Sequence, residues 1–360
     1  MKKLFFFQLI ILISFQVQAR QISSSSADSI FADWNQQNEP GGAVAIVRDG
    51  EIIYTQGYGL ADLEHDIVIT PATVFYIGSV SKQFVTFSVL LLEEQGKLHI
   101  DDNVQKYLTD FPQYEEPITI RQLIHHISGI KDFITLMESQ GRSYLDHIEK
   151  QEVYELIKNQ KELNFAPGER YLYSNSGYFL LSMIIEEASG MSLKEFAEQE
   201  IFIPLNMEKS QFYDDITDLV EDRAFSYSNN GAGFDNLVSR FDLVGSGGVY
   251  STVEDFYRWD QNFYNNVLGK GNQSIIENMH EDGLLNNGKS SSYAFALIND
   301  SYKGLRTVSH KGSLAGYRAY YLRFPEQKFS VILFTNRDDS DASSKAYKIA
   351  DLYLAEYLEE

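Results

Sequence analysis

The sequence contains no cysteine among its 360 residues. That absence excludes disulfide bonds, a thiolate nucleophile, a cysteine-ligated zinc site and a lipid-modified cysteine. Long hydrophobic runs are also missing: after the first nineteen residues, no stretch reaches the ~18 apolar residues that a membrane-spanning helix needs. We therefore predict a chain with no membrane span that is stabilised by burial of its core.

Positive charge is scarce, with 30 Lys and Arg against 51 Asp and Glu, a formal net charge of −21. Such a surface repels nucleic acid and anionic membranes, so we predict no nucleic-acid partner. The seven histidines include no HExxH or comparable ligand spacing, and we predict no metal and no organic cofactor. Gly245–Gly248 is too short for a phosphate loop and is interpreted as a turn lining a cleft. No G-x-S-x-G elbow is present, which argues against an α/β-hydrolase.

The N-terminus has the pattern of a secretory signal peptide. A basic start, "MKK", precedes the apolar run "LFFFQLIILISF", and "VQA" ends in a small residue suited to cleavage after Ala19. We expect residues 1–19 to be removed and the mature protein to be periplasmic or secreted.

Strand patterns lie at both ends of the remaining chain. "GGAVAIVRDGEIIYTQGYG" predicts two strands joined at "RDG", and three strand-like runs between 304 and 336 predict an antiparallel meander. A helix is predicted over roughly 26–37 and another after 342. Residues 20–75 and 291–360 are therefore assigned to a sheet lobe and residues 76–290 to a mostly helical lobe, together one catalytic domain. The expected class is α+β: an antiparallel sheet flanked by terminal helices, with a helical insertion.

A serine and a lysine stand three residues apart in "YIGSVSKQFVTFSVLLLEEQG", at the start of a strongly apolar helix. Spacing of three places Ser79 and Lys82 on one helix face, and the helix N-terminus can stabilise an alkoxide. Lys82 can act as a base only when neutral, which requires its pKa to fall by roughly 3 units, within the reach of full burial. Ser-x-x-Lys is common by itself, and a second copy occurs at Ser128–Lys131.

Two further segments carry candidate site residues. "YSN" at Tyr173–Asn175 lies just before an apolar helix, where a tyrosine can exchange a proton with a lysine and an asparagine can hold a substrate amide. A second "YSN" at Tyr227–Asn229 is predicted to lie in a loose polar loop, "SYSNNGAG", with no helix to fix it, and is set aside. The strand segment "SHKGS" supplies His310, Gly312 and Ser313, and the Ser313 and Ser79 N–H groups are candidates for an oxyanion hole.

In this order, the three motifs resemble those of the serine β-lactamase and penicillin-binding protein superfamily, in particular its class C-like branch. The stretches "VFYIGSVSKQF", "ITIRQLIHHISGI", "FAPGERYLYSNSGYFLL", "GSGGVYSTVEDFYRW" and "SHKGSLAGYRAYY" all resemble that branch. The resemblance implies an acylated nucleophile at Ser79, with Lys82 as its proton partner and Tyr173 as a second acid or base. It implies that Asn175 and residues 310–313 hold substrate, and it gives the His125–His126 stretch a structural role.

One departure from the family pattern concerns specificity. β-Lactamases of this branch usually carry Lys-Thr-Gly where this chain has His310-Lys311-Gly312. A histidine at this position is more similar to the esterases and peptidases of the branch than to its β-lactamases. We therefore expect an exported serine hydrolase acting on a small amide, ester or D-amino-acid peptide, as a carboxypeptidase or esterase. The alternative is a non-hydrolytic relative that binds or senses cell-wall peptide. The sequence leaves the substrate and the oligomeric state open.

Overall fold

The computed structural model describes residues 24–359. The predicted signal peptide, residues 1–19, lies outside the described residues. Among the described residues, no helix is both long and apolar enough to cross a bilayer. The helices are α1 (Ser24–Asp28), α2 (Lys82–Glu94), α3 (Ile120–Ile124), α4 (Phe133–Ser139), α5 (Lys150–Lys158), α6 (Asn175–Ser189), α7 (Leu193–Ala197), α8 (Val253–Asn262), α9 (Ser274–Met279) and α10 (Ala342–Tyr353).

Thirteen strands are described within residues 24–359. They are β1 (Gly42–Arg48), β2 (Glu51–Tyr58), β3 (Leu60–Asp62), β4 (Ile67–Val68), β5 (Phe75–Tyr76), β6 (Gln211–Phe212), β7 (Tyr227–Asn229), β8 (Phe234–Asn236), β9 (Val249–Ser251), β10 (Ile298–Tyr302), β11 (Leu305–Leu314), β12 (Tyr317–Phe324) and β13 (Phe329–Thr335).

Six of these strands form the main sheet, in the antiparallel order β10-β11-β12-β13-β1-β2. Strands from both ends of the chain thus meet in one sheet, where β1 pairs with β13. The turn between β1 and β2 has Asp49 and Gly50 at positive φ, as a two-residue hairpin turn requires. The architecture confirms the predicted α+β class, with a sheet built from the two ends and helices between them.

Both faces of the sheet are buried, because alternate residues of a strand point to opposite sides. On β1, Val44 and Ile46 face a cluster that α10 and the segment after α1 contribute to, including Trp34. Ala43 and Ala45 face the larger core, which contains the inserted helices. The sheet therefore lies between a small helical layer and the large helical region.

Helix α2 runs through the large core, and its residues from Lys82 to Leu92 are all buried. Several of its polar groups have hydrogen-bond partners there. Trp259 Nε1 donates to Gln83 Oε1 at 2.9 Å, and the Thr86 hydroxyl donates to the Phe295 carbonyl at 3.2 Å. Hydrogen bonds of this kind offset the free-energy cost of removing polar groups from water. The position of α2 places its first residues deep between the sheet and α6.

Several predicted elements differ from the structure. The helix predicted over 26–37 is wrong in length: α1 ends at Asp28 and is followed by a 3₁₀ turn, Ser29–Phe31. The buried Trp34 lies beyond it and donates from Nε1 to Ser340 Oγ at 3.0 Å. The three-stranded meander is confirmed, but β10 precedes it and pairs with β11.

Candidate active site

Ser79 lies in a 3₁₀ turn, Gly78–Ser81, that leads directly into α2. Lys82, the first residue of α2, has no solvent exposure, and its Nζ lies 3.1 Å from Ser79 Oγ. The same Nζ lies 3.0 Å from Asn175 Oδ1 and also contacts the carbonyl oxygen of Ser246. The serine and lysine of the first motif are thus in hydrogen-bond contact at the buried start of α2.

The environment of Lys82 favours its neutral form. Burial lowers the pKa of the ammonium to about 7, although the charge of Asp132 acts in the opposite direction. The Asn175 and Ser246 oxygens can only accept hydrogen bonds, so they take the two N–H groups of a neutral amine. The lone pair then faces the Ser79 hydroxyl, which is the one partner able to donate a proton.

Tyr173 lies beside both Ser79 and Lys82. Its ring is 4.9 Å from Lys82 Nζ. Burial raises the pKa of the Tyr173 phenol, while a hydrogen bond with Ser79 lowers it by less. The phenol therefore remains protonated at neutral pH and can give a proton to a departing group.

Asn175 is the first residue of α6. Its backbone N–H donates to the Asp132 carboxylate, which fixes the start of the helix beside the cleft. Because its Oδ1 accepts from Lys82, its Nδ2 donors are oriented away from the lysine. They are available to bind a carbonyl oxygen in the cleft.

Strand β11 approaches the serine turn so closely that only glycine fits at two positions. A Cβ on Gly312 would lie 1.9 Å from the Ile77 carbonyl oxygen and 3.0 Å from the Ser79 nitrogen. A Cβ on Gly78, whose φ is +55°, would lie 2.4 Å from the Ser313 nitrogen. The backbone nitrogens of Ser79 and Ser313 are thereby brought to the same corner of the cleft.

His310 points into the protein beside this corner. Its Nδ1 lies 2.8 Å from the Lys311 carbonyl oxygen, which requires a proton on Nδ1, and its Nε2 lies 2.9 Å from Tyr293 Oη. Nε2 must then accept from the Tyr293 hydroxyl. Burial lowers the pKa of His310 to about 3, so it is neutral. Both ring nitrogens are occupied, and His310 orients Tyr293.

These residues line one cleft of about 620 Å³. Five of the seven candidates are on its walls; Lys82 and Gly312 lie directly behind Ser79. The wall residues are Tyr76, Gly78, Ser79, Ile134, Tyr144, Tyr171, Tyr173, Asn175, Phe241, Ser246, Gly247, Tyr293, Ile298, His310, Lys311, Ser313 and Leu314. Over residues 24–359, no group of three or more His, Cys, Asp or Glu side chains is arranged to hold a metal ion.

The duplicate motifs lie elsewhere. Ser128 is buried and its Oγ accepts from the Ile130 N–H at 3.4 Å. The second "YSN" forms β7, paired with β8, and is a strand where the sequence suggested a loose loop. Tyr227 Oη there accepts from the Leu63 N–H at 2.9 Å.

The sequence did not indicate Tyr293 or Asp132, and for His126 it indicated a structural role without showing which residue it supports. His126 Nδ1 accepts from the Ser174 N–H at 3.1 Å, and its ring lies 4.2 Å from that of Tyr173. Burial lowers the pKa of His126 well below its ordinary value. His126 is thus a neutral support for the Tyr173 turn, in keeping with the structural role expected for it. Tyr293 belongs to no motif, and only the fold brings it to His310.

The profile of the Beta-lactamase family matches residues 27–354. The chain therefore belongs to that family, which confirms the resemblance drawn from the motifs, and it is a β-lactamase-related serine hydrolase.

Among its relatives, penicillin-binding protein 4* of Bacillus subtilis is 29% identical, over 94% of this chain and 76% of that protein. A D-aminopeptidase of Brucella anthropi is 28% identical over 88% of this chain. The chain spans only 59% of the length of that D-aminopeptidase.

Solved structures share the fold across most of the chain. The octameric penicillin-binding protein homologue from Pyrococcus abyssi has a TM-score of 0.81 at 26% identity, covering 92% of this chain and 77% of that one. The D-amino acid amidase from Ochrobactrum anthropi SV3 has a TM-score of 0.76 at 20% identity, covering 92% and 98%. At that identity, the amidase demonstrates the shared fold alone.

Proposed function

We propose that this protein hydrolyses a small amide, ester or D-amino-acid peptide through an acyl-enzyme on Ser79. The observation that carries the proposal is the contact of 3.1 Å between Ser79 Oγ and a buried Lys82 whose pKa is lowered to about 7. A serine hydroxyl is a weak nucleophile unless an adjacent base takes its proton. Lys82 supplies that base at neutral pH.

Acylation follows from the geometry. Ser79 Oγ attacks the substrate carbonyl carbon and its proton passes to Lys82 Nζ. The backbone N–H groups of Ser79 and Ser313 stabilise the oxyanion of the tetrahedral intermediate. When the bond to the leaving group breaks, the Tyr173 phenol protonates that group and regains its proton from Lys82.

Deacylation reverses these proton movements. A water molecule attacks the ester carbonyl and its proton passes to Lys82 through Tyr173. Lys82 then returns a proton to Ser79 Oγ as the ester bond breaks, so the serine leaves as the hydroxyl. The name of the D-aminopeptidase relatives supports a substrate that contains a D-amino acid. Replacement of the family's Lys-Thr-Gly by His310-Lys311-Gly312 supports peptide or ester turnover over β-lactam hydrolysis. The pattern of residues 1–19 supports export to the periplasm or beyond.

The test uses a serine-directed phosphonate and a p-nitrophenyl ester with intact-mass detection. The wild-type protein should gain one phosphonate adduct and hydrolyse the ester, whereas Ser79→Ala should do neither. Ser128→Ala, which alters the second Ser-x-x-Lys copy, is the matched control and should retain labelling. Labelling of Ser79→Ala equal to that of the wild type would refute the proposal. A stable adduct from a D-Ala-D-Ala peptide without turnover would favour the non-hydrolytic binding protein.

A further inference from the structure

A second, smaller cavity of about 120 Å³ adjoins the cleft. Tyr76, Phe241 and Leu314 line both cavities, so the two share a wall. The small cavity has room for a carboxylate group and a short piece of chain, since a water molecule takes up about 30 Å³ of liquid. Its only charged lining residue among those described is Arg223.

Arg223 has no acidic partner. Within residues 24–359, no carboxylate forms an ion pair with it, and its guanidinium carbon lies 5.2 Å from the centroid of the Phe225 ring and 5.9 Å from that of Tyr250. Tyrosine hydroxyls surround it, and it is hydrogen-bonded to those of Tyr213 and Tyr250. Burial raises the pKa values of these phenols, so they carry no charge. A guanidinium has five N–H donors, and a half-buried one is normally paired with an anion that accepts hydrogen bonds from some of them.

Three acidic residues of this region already have cationic or histidine partners. Asp222 accepts from Lys209 Nζ at 2.7 Å. Asp218 contacts Lys194, and Asp242 Oδ1 lies 3.2 Å from His147 Nδ1. Among residues 24–359, Arg223 is therefore left without an acidic partner, in a protein whose acidic residues outnumber its basic ones by 51 to 30.

Within the described residues, the walls of the cleft and of the small cavity also lack acidic side chains. Neither cavity has an Asp or Glu side chain on its described walls, while Lys311 lines the cleft and Arg223 the small cavity. These walls therefore differ in charge from the protein as a whole, whose net charge is −21. A local positive potential of this kind concentrates anions.

The position of the small cavity identifies which part of the substrate reaches it. Tyr173, which protonates the leaving group, packs against His126 and Tyr293. Tyr76, at the entrance of the small cavity, packs instead against Tyr250 and Tyr317. The two groups of rings do not share these contacts. A leaving group protonated by Tyr173 would lie beside the first group, which leaves the second group for the acyl portion.

We propose that Arg223 and its aromatic walls form a subsite for a carboxylate at the far end of the substrate's acyl portion. The inference rests on the proposed acyl-enzyme function and adds the substrate class: acyl compounds that carry a remote negative charge. A charge-assisted, bidentate contact of guanidinium and carboxylate would supply both affinity and orientation.

The experiment compares p-nitrophenyl monoesters of glutaric, adipic and suberic acid with p-nitrophenyl esters of neutral acids of equal chain length. For at least one length, kcat/KM of the wild-type protein should be about tenfold higher for the carboxylate ester, as expected for one charge-assisted contact. In Arg223→Gln that ratio should fall to about one, and Arg223→Lys should restore part of it. Arg258→Gln, an exposed arginine on α8, is the control and should keep the wild-type ratio.

Two results would overturn the subsite. One is a wild-type ratio near one at every chain length, and the other is an Arg223→Gln ratio equal to that of the wild type. Failure of the proposed hydrolase itself would be distinct, because the neutral esters would then show no turnover that depends on Ser79.

Discussion

At the scale of single residues, the proposed chemistry depends on Lys82, because burial sets the charge state of its amine. Below the folded-state pKa of about 7 the amine is protonated and has no lone pair for the Ser79 proton. Above that pKa it is neutral and competent. The neutral form is reached near physiological pH only because no carboxylate touches the amine, although Asp132 acts on it from a distance.

The pH profile of acylation follows from this. We expect kcat/KM for a neutral ester to rise about tenfold per pH unit up to about pH 7 and then to level off, as a single ionisation requires. Stopped-flow measurement of p-nitrophenol release between pH 5 and pH 9 checks it. Lys82→Arg, which stays protonated, should be inactive throughout, whereas Lys131→Arg in the duplicate motif should follow the wild-type curve. A flat profile would contradict the assignment of Lys82 as the base.

At the scale of structural elements, the junction between β11 and the serine turn sets the position of the backbone donors. Gly312→Ala would place a methyl group 1.9 Å from the Ile77 carbonyl oxygen, so the strand must move away from Ser79. We expect kcat to fall by about 10² or more, the size of effect seen when one oxyanion donor is lost. Steady-state ester hydrolysis, with circular dichroism as a check on folding, measures this.

Gly233→Ala is the matched control for that substitution. Its Cβ would meet no atom within 4 Å, and its φ is not positive. It should leave both activity and circular dichroism unchanged. An active Gly312→Ala would mean that the strand does not constrain the donors.

The sequence predicted those elements whose pattern is local. The hairpin at Asp49–Gly50 and strands β11 to β13 were predicted from alternating apolar residues and from turn residues. Ser79, Lys82 and Tyr173 were proposed as site residues because their motifs stand at the starts of predicted helices. Strand β10 was missed because "INDSY" is too polar and too short to alternate. The short strands β5, β6 and β9 were missed because they exist only through pairing with distant segments.

Site residues without a motif could not be predicted in the same way. Tyr293 is hydrogen-bonded to His310, which lies 17 residues further along the chain. The contact depends on how β11 packs, which no local sequence pattern indicates. Ser246 contributes a backbone oxygen, which any residue type supplies, so its identity carries no signal. Arg223 is one of several arginines, and only the fold shows that its neighbours are aromatic and uncharged.

At the scale of the whole molecule, the net charge of −21 is the dominant electrostatic property. Like charges on a compact surface repel one another, and salt reduces that repulsion as the screening length falls from ~30 Å at 0.01 M to ~8 Å at 0.15 M. The cleft, with its cationic residues, is an exception to the surrounding surface.

We therefore expect thermal stability to increase with ionic strength. Raising sodium chloride from about 10 mM to about 200 mM should raise the midpoint of unfolding by a few degrees, measured by differential scanning fluorimetry. An uncharged solute at equal osmolality should produce a smaller change. A midpoint that falls with salt would mean that surface ion pairs outweigh the net repulsion.

The pairing of β1 with β13 has a consequence for biosynthesis. The Gly41 N–H donates to Asn336 Oδ1 across 295 sequence positions, so the central strands of the sheet join segments made at opposite ends of translation. At ~5–20 residues per second, the ribosome releases the first hairpin tens of seconds before its neighbouring strand. During that time the hairpin exposes an unpaired strand edge and an apolar face. Both favour association with other nascent chains, so we expect the hairpin to need shielding until β13 emerges.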